Sequence, residues 1–302
     1  ALVVFPSAWL AGALKDRCKG PIRTWLGGIR PFTRVHALPL GVWLLAFLAT
    51  VGYGLLSPRA YKPERSLTVA LIQPNSDPWI GGMNTYRGNF QTLTRLSEEA
   101  LAAHPEVDLI VWPETAFIPR IDWHYRYRED TDAFELVSDL LTWINQSPVP
   151  VLTGNDDAEM GVDEEGSPDR VDYNAALLFE PRKNVLPPKP DRYRKMHLVP
   201  FTEYFPFRDQ APFNYNLLHD KDTHFWAQGD KPVVFSCKGL AFSTPICFED
   251  TFGYLSRRFV NQGARAIVNL SNDAWSRSLT CQYQHLSMSV FRAVENRVPL
   301  AR

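Results

Sequence analysis

Residues 38–57, LPLGVWLLAFLATVGYGLLS, carry no charged side chain over twenty positions. As a helix, such a run spans about 30 Å, the thickness of the hydrocarbon core of a bilayer. A buried helix of a soluble protein is the alternative, and the flanks argue against it. Residues 15–34 hold six Lys/Arg and one Asp, an asymmetry that keeps a loop on the cytoplasmic side. Residues 1–14 read as the end of an earlier membrane helix. They do not read as a cleavable signal, because the basic residues follow the apolar run. The expected organisation is a membrane-helix end over 1–14, a basic cytoplasmic loop over 15–37, a transmembrane helix over 38–57 and a linker over 58–66. A soluble domain over 67–302 then lies on the extracytoplasmic side. The chain opens on Ala1 and stops at VPLAR in mid-pattern, so it reads as part of something longer.

From residue 67 the pattern changes. LTVALIQ (67–73), VDLIVWPE (107–114), VPVLTG (149–154), YNAALLFE (173–180) and RAIVNLS (265–271) are strand-like, with further strands near 232–236 and 239–246. Helical spacing predicts helices over 84–104, 131–146, 253–262 and 282–296. Continuous apolar strands that alternate with helices imply sheets buried under helices, an α/β architecture. The acidic stretch 156–170 reads as a solvated hairpin loop. With 24 prolines spread along the chain, a plain helical bundle is excluded. The net charge of −1 provides no field that would select nucleic acid.

Three polar residues stand where buried strands give way to loops, the usual place for chemistry in α/β folds. Glu114 ends LIVWPE, Lys195 sits in YRKMHLVPF, and Cys247 ends STPIC. A thiol reacts as thiolate, yet Glu249 and Asp250 follow Cys247 closely and disfavour ionisation. A Lys195 ammonium near the sulfur would offset them. A carboxylate could accept the thiol proton, and the ammonium with a backbone N–H could hold a tetrahedral oxyanion. Sequence spacing alone leaves open the alternatives of an inert core cysteine and two unrelated charged residues. The four cysteines lack metal or redox spacing. A bridge between Cys237 and Cys281 is conceivable in an oxidising compartment.

LIVWPE, YRKMHLVPFTEYFPF, PICFED, VNLSNDAW and QHLSMSVFRAVENRVPL, in this order, resemble the carbon–nitrogen hydrolase (nitrilase) superfamily. More narrowly they resemble its membrane-anchored branch, the apolipoprotein N-acyltransferases. The resemblance runs from about residue 38 to the end. It implies a four-layer α-β-β-α sandwich preceded by a transmembrane helix, and a carbon–nitrogen hydrolase domain over 67–302 that is incomplete at its end. It implies a catalytic set of Glu114, Lys195 and Cys247, supported by Glu203, Glu249 and Phe248. The reaction implied is two-step acyl transfer: Cys247 takes an acyl chain from a phospholipid, typically phosphatidylethanolamine, as a thioester. The α-amine of a diacylglyceryl-modified N-terminal cysteine of a lipoprotein then accepts it. No metal and no organic cofactor is implied. The location implied is the bacterial inner membrane, in a multi-pass protein with its catalytic domain on the periplasmic side. Phe248 departs from the family, where Tyr is usual, and so lacks a hydroxyl.

Trp79 matches an aromatic that lies over the acyl entrance in the family. The run EYFPFRDQAPFNYN (203–216), with Phe207 and Phe213, is read as a lid that dips toward lipid. His285 is expected to be a hydrogen-bonded structural residue, and His219 and His224 lack metal-ligand spacing. Two other functions stay open at this point: an amidase that uses the same three residues, and a membrane-tethered pseudoenzyme that binds lipoproteins or lipids.

Overall fold

The computed structural model describes residues 4–15, 37–60, 65–77, 80–162, 166–206, 225–276 and 278–302. It divides into two compact units, residues 1–64 and 65–302. In the first, α1 (Val4–Lys15) and α2 (Ala37–Ala60) are helical. Phe5 stacks on Trp43 and Trp43 on Phe47, with ring centroids 6.2 and 5.3 Å apart. In α2, Leu38, Leu45, Leu48, Leu55 and Leu56 are all exposed. The stretch Ala37–Ser57 is long and apolar enough to cross a membrane, with none of it buried by the protein.

The second unit is built on two sheets. β1 (Val69–Leu71), β2 (Leu109–Val111), β3 (Val151–Val162), β4 (Pro168–Phe179) and β5 (Asp191–Arg194) form the first in that spatial order. The β1/β2 and β2/β3 pairs are parallel, and β3/β4 and β4/β5 are antiparallel. β6 (Val234–Cys237), β7 (Leu240–Ser243), β8 (Ala266–Val268) and β9 (Leu300–Ala301) form the second. Here β6/β7 is antiparallel and the other pairs are parallel.

Because strand side chains alternate between faces, the first sheet feeds two separate cores. Ile110, Trp112, Val151, Ala175, Leu177 and Phe179 face one way. They pack with Leu93 of α3 (Gly82–Ala103) and with Leu136, Leu140 and Ile144 of α5 (Thr131–Gln146). Leu109, Val111, Leu152, Ala176 and Leu178 face the other way and meet Phe235, Phe242 and Val268 of the second sheet. The sequence reads as unbroken apolar runs in these strands because both faces are buried. The parallel connections of the second sheet carry α6 (Gly253–Asn261) and α7 (Leu279–Asn296). Leu255 and Phe259 of α6 pack into the core of the second sheet, and α7 lies against α6. The layers therefore run α-β-β-α. A short helix, α4 (Ile121–Tyr127), follows β2.

One expectation holds only in part. The acidic segment after residue 155 is a hairpin, with β3 and β4 paired from Val151↔Phe179 to Val162↔Pro168, and it is exposed at Glu159, Met160, Val162 and 166–170, but its first carboxylates are not solvated. Asp156 and Asp157 are each 1% exposed. Arg120 pairs with Asp156 at 2.7 Å, and Arg194 with Asp157 at 3.0 Å. A buried carboxylate is tolerated only when it is paired, and its arginine partners here lie more than thirty residues away in the chain.

Candidate active site

The three loops that emerge from β2, β5 and β7 converge, and the backbone of two of them is left-handed at the turn. Cys247 itself has φ 49° and opens a 3₁₀ turn, Cys247–Thr251. Its amide donates to Leu270 O at 2.7 Å, which anchors the turn to the end of β8. Thr115, next to Glu114, has φ 45°. Such conformations cost about 1–3 kcal/mol each at non-glycine residues and persist where the surroundings over-determine them.

Glu114, Lys195, Glu203, Cys247 and Glu249 are all buried. Lys195 Nζ lies 3.1 Å from Glu114 Oε1 and 2.6 Å from Glu203 Oε1. The charges of Glu114, Lys195 and Glu203 all act on the Cys247 thiol. Burial works against the Lys195 ammonium, but the negative charge of Glu114, of a Cys247 thiolate and of Glu203 outweighs it and raises its pKa. Burial raises the carboxyl pKa of Glu203, against the lowering by Lys195. At Cys247 the sequence-based argument needs correction. Lys195 does favour the thiolate, but burial first and Glu114 second push the thiol well above its ordinary value. The resting sulfur is therefore a neutral S–H. One ammonium between two carboxylates cannot also hold a third buried anion at rest.

Glu249 links the nucleophile turn to the lysine strand. Its carboxylate accepts from Ile246 N at 2.8 Å, Met196 N at 2.7 Å, His197 N at 3.0 Å and Tyr193 OH at 2.8 Å. Burial raises its pKa to about 7 despite these donors. The Oε2 of Glu203 accepts from Val199 N at 2.8 Å, closing its own loop. Phe248 packs edge-on against Phe252, with centroids 5.0 Å apart. Trp79, Phe207 and Phe213, together with His219 and His224, lie outside the described residues. Cys237 and Cys281 are both free thiols, the first buried and the second exposed.

Sequence reasoning missed three residues that hold this geometry. Asn174 Nδ2 donates to Glu114 Oε1 at 2.8 Å, and the main-chain carbonyl of Asn174 accepts from Lys195 N at 2.8 Å. Asn174 thus ties acid and lysine together. Gly154 lies against Glu114: a Cβ there would sit 2.5 Å from Pro113 O and 2.7 Å from Glu114 Cα. Gly229 donates its amide to Lys195 O at 2.8 Å, and a Cβ there would collide with Arg194 O. The only hint in the sequence is a glycine that interrupts an otherwise apolar strand at VLTGN, the mark of a close backbone approach.

His285, on α7, bridges two loops. Its Nε2 is 3.1 Å from Asp250 Oδ1 and its Nδ1 is 3.0 Å from Asp273 Oδ1. Arg302 joins both carboxylates, at 3.2 and 3.1 Å. Burial works against the imidazolium, but its hydrogen bonds to Asp250 and Asp273 raise its pKa to about 9. The Cys247 sulfur, an Asp273 oxygen and a His285 nitrogen lie within 4.8 Å of one another. A cavity of about 370 Å³ lies beside this group, lined by Pro74, Asn75, Pro113, Leu270, Asp273 and Leu286 among others.

A buried thiol gathered with a carboxylate and a lysine is suited to nucleophilic attack on an acyl carbon. Comparison with known proteins agrees with this chemistry. Residues 68–302 match the carbon–nitrogen hydrolase family. The chain is 59% identical over 234 residues to "Apolipoprotein N-acyltransferase 1" of Treponema pallidum (strain Nichols), covering 78% of this chain and 43% of that protein. It is 48% identical over 276 residues to the protein of the same name from Treponema denticola, covering 88% and 50%. It is 37% identical over 269 residues to "Apolipoprotein N-acyltransferase" of Geobacter metallireducens, covering 86% and 46%. The chain spans about half the length of these curated relatives. With more than three-quarters of its residues inside the family match, and a thiol, a carboxylate and an ammonium gathered at the loop ends of its sandwich, the chain belongs to the carbon–nitrogen hydrolase family.

Proposed function

We propose that this chain carries the catalytic domain of a phospholipid-dependent N-acyltransferase. In the first step Glu114 takes the proton from Cys247 as the sulfur attacks the ester carbonyl carbon of a phospholipid. The carbonyl π electrons move to oxygen. That oxyanion is met by the Lys195 ammonium and by the Phe248 N–H, which stands in the first turn of its short helix, where amides have no intrahelical acceptor. Collapse breaks the acyl–oxygen bond. The lysophospholipid alkoxide takes the proton from Glu114 and leaves an acyl thioester on Cys247.

In the second step the α-amine of a diacylglyceryl-modified N-terminal cysteine attacks the thioester and Glu114 takes its proton. Collapse of that intermediate forms the amide and expels the sulfur, which regains a proton from Glu114. Glu203 holds Lys195 in place from the side opposite Glu114, and Glu249 keeps the nucleophile turn fixed to the lysine strand. Because the resting sulfur is a thiol, its ionisation coincides with attack. The base and the ammonium are therefore both needed at the same moment.

The observation that carries this reading is the contact of Lys195 with Glu114 and Glu203 beside the buried Cys247, groups brought together from loops far apart in the sequence. The names of the relatives, apolipoprotein N-acyltransferases, support a lipoprotein as the acyl acceptor. The apolar helix Ala37–Ser57 supports a membrane location. The basic residues between 15 and 34 support a cytoplasmic loop and, with it, a sandwich on the periplasmic side.

The test uses purified full-length chain with phosphatidylethanolamine. A mass increase of one acyl group on Cys247, removed by hydroxylamine, absent in Cys247→Ser and chased by a diacylglyceryl peptide onto the peptide's amine, is the expected result. Release of ammonia from small amides with no acylation of Cys247 by phospholipid would instead make the chain an amidase and overturn the proposal.

A further inference from the structure

The nucleophile has a second set of neighbours besides Glu114 and Lys195. Cys247, Asp273 and His285 come from three elements: the turn after β7, the loop after β8 and helix α7. Their sulfur, oxygen and nitrogen atoms lie within 4.8 Å of one another. Thiolate, imidazole and carboxylate are the donor types that zinc prefers. Zinc bonds of about 2.0–2.3 Å set tetrahedral ligand atoms roughly 3.3–3.7 Å apart. The Asp273–His285 pair, at 3.0 Å, would open by a few tenths of an ångström. The sulfur would close by about 1 Å at most, within reach of a χ1 adjustment.

The surroundings of His285 favour ligation through Nδ1. Its Nε2 already faces Asp250 at 3.1 Å. A ligating histidine that donates its other N–H to a carboxylate is the usual outer arrangement of zinc sites. Asp250 is in turn held by Arg302 at 3.2 Å. Arg302 also touches Asp273 at 3.1 Å, and its positive charge opposes a cation there. The ligand set would bring two negative charges, one from the thiolate and one from Asp273, which offset that repulsion. Asp273 also lines a cavity of about 370 Å³.

We propose that Cys247, Asp273 and His285 form an inhibitory site for a thiophilic divalent cation, with zinc as the type ion. The ion replaces the proton on the sulfur and the one on Nδ1, and both protons leave to solvent. No electrons move. The sulfur that should attack an acyl carbon becomes a metal ligand, so the ion blocks acylation reversibly without touching Glu114 or Lys195. The site differs in kind from a catalytic metal centre, because the chemistry proposed above needs the sulfur free of metal.

The test reads the sulfur directly and so does not depend on which acyl donor or acceptor the protein uses. The full-length chain in detergent is treated with iodoacetamide in buffered zinc, and alkylation is followed at each cysteine by peptide mass. Exposed Cys281 is the internal control. Zinc is expected to slow alkylation of Cys247 at least tenfold, with little change at Cys281 and full recovery after EDTA. His285→Gln and Asp273→Asn should each raise the zinc concentration needed for half protection at least tenfold. Unchanged labelling of Cys247 in zinc, or equal protection in both variants, overturns the site. Should either variant fold poorly, cobalt binding to the unsubstituted chain decides the matter. A thiolate-to-cobalt absorption band that Cys247→Ser abolishes supports the site. The absence of the band, or its survival in Cys247→Ser, refutes it.

Discussion

Replacing Gly154 by alanine tests whether Glu114 is held by a close backbone approach. The added Cβ would meet Pro113 O and Thr115 N, each at 2.5 Å, and Glu114 Cα at 2.7 Å. Ordinary contact begins near 3.4 Å, so β3 and the loop that carries Glu114 must part by about 0.9 Å. All three atoms are backbone, and no side-chain rotation relieves the clash. The Gly154 N–H to Pro113 O bond, 3.2 Å long, is also lost. Overpacking of this kind costs about 1–3 kcal/mol, which for a domain of this size lowers Tm by roughly 3–10 °C. The larger effect falls on the site. Glu114 is 2.8 Å from Asn174 Nδ2 and 3.1 Å from Lys195 Nζ, distances that a shift of 0.9 Å takes beyond hydrogen-bond length. A misplacement of about 1 Å costs on the order of 100-fold in rate. The assay is the rate of Cys247 acylation by phosphatidylethanolamine, taken well below the Tm of the variant. Gly161→Ala is the control: its Cβ meets Val171 Cγ2, a side chain that can turn away, and acylation should be unchanged. Acylation by Gly154→Ala within threefold of the unsubstituted protein would refute the reasoning.

Glu249→Gln leaves the Ile246 N–H facing an amide instead of a carboxylate oxygen, a loss of about 1–3 kcal/mol. The Glu249 pKa is raised to about 7 from 4.5, so the folded state keeps this proton to higher pH than the unfolded state. Its stabilising contribution is complete below about pH 4.5 and is lost as pH rises through 7, an effect of about 3 kcal/mol. Urea unfolding should therefore show the unsubstituted protein's advantage over Glu249→Gln to be greater at pH 5 than at pH 7.5; parallel pH curves would contradict the assignment. Lys195→Met leaves Glu114 and Glu203 as two buried carboxylates with no counter-ion. A fall of about 3–5 kcal/mol is expected at neutral pH, smaller in acid because a raised carboxyl pKa withdraws stability as pH rises. Circular dichroism melts at pH 5 and pH 8 with equal losses would count against it.

Much of this protein was legible along the chain. Twenty uncharged residues can only be a buried or a lipid-facing helix, because a helix alone satisfies its own backbone where water is absent. Apolar runs such as LIVW and AALLF announce strands buried on both faces, since side chains alternate and both sides must then be apolar. Glu114 and Cys247 each end such an apolar run, whereas Lys195 follows the polar strand DRYR and is marked only as a charged group before a loop. The burial of Asp156 and Asp157 in the hairpin of β3 and β4 was not legible, for an equally physical reason. Asp156 and Asp157 look solvated when taken with their neighbours, and the arginines that neutralise them, Arg120, Arg192 and Arg194, are assigned to them only by folding.

The sequence by itself determined which segments are apolar, with what period, and which residues can react. Those are local properties, set by side-chain chemistry and backbone geometry within a few residues. The tertiary structure alone decided the protonation of Cys247 and the place of Glu114. The sulfur's proton depends on burial and on the sum of charges from loops separated by more than a hundred residues. The carboxylate's position depends on Asn174 and on the missing Cβ of Gly154. Electrostatic energy and steric exclusion act through space, and distance in space is the one quantity that a linear order of residues does not contain.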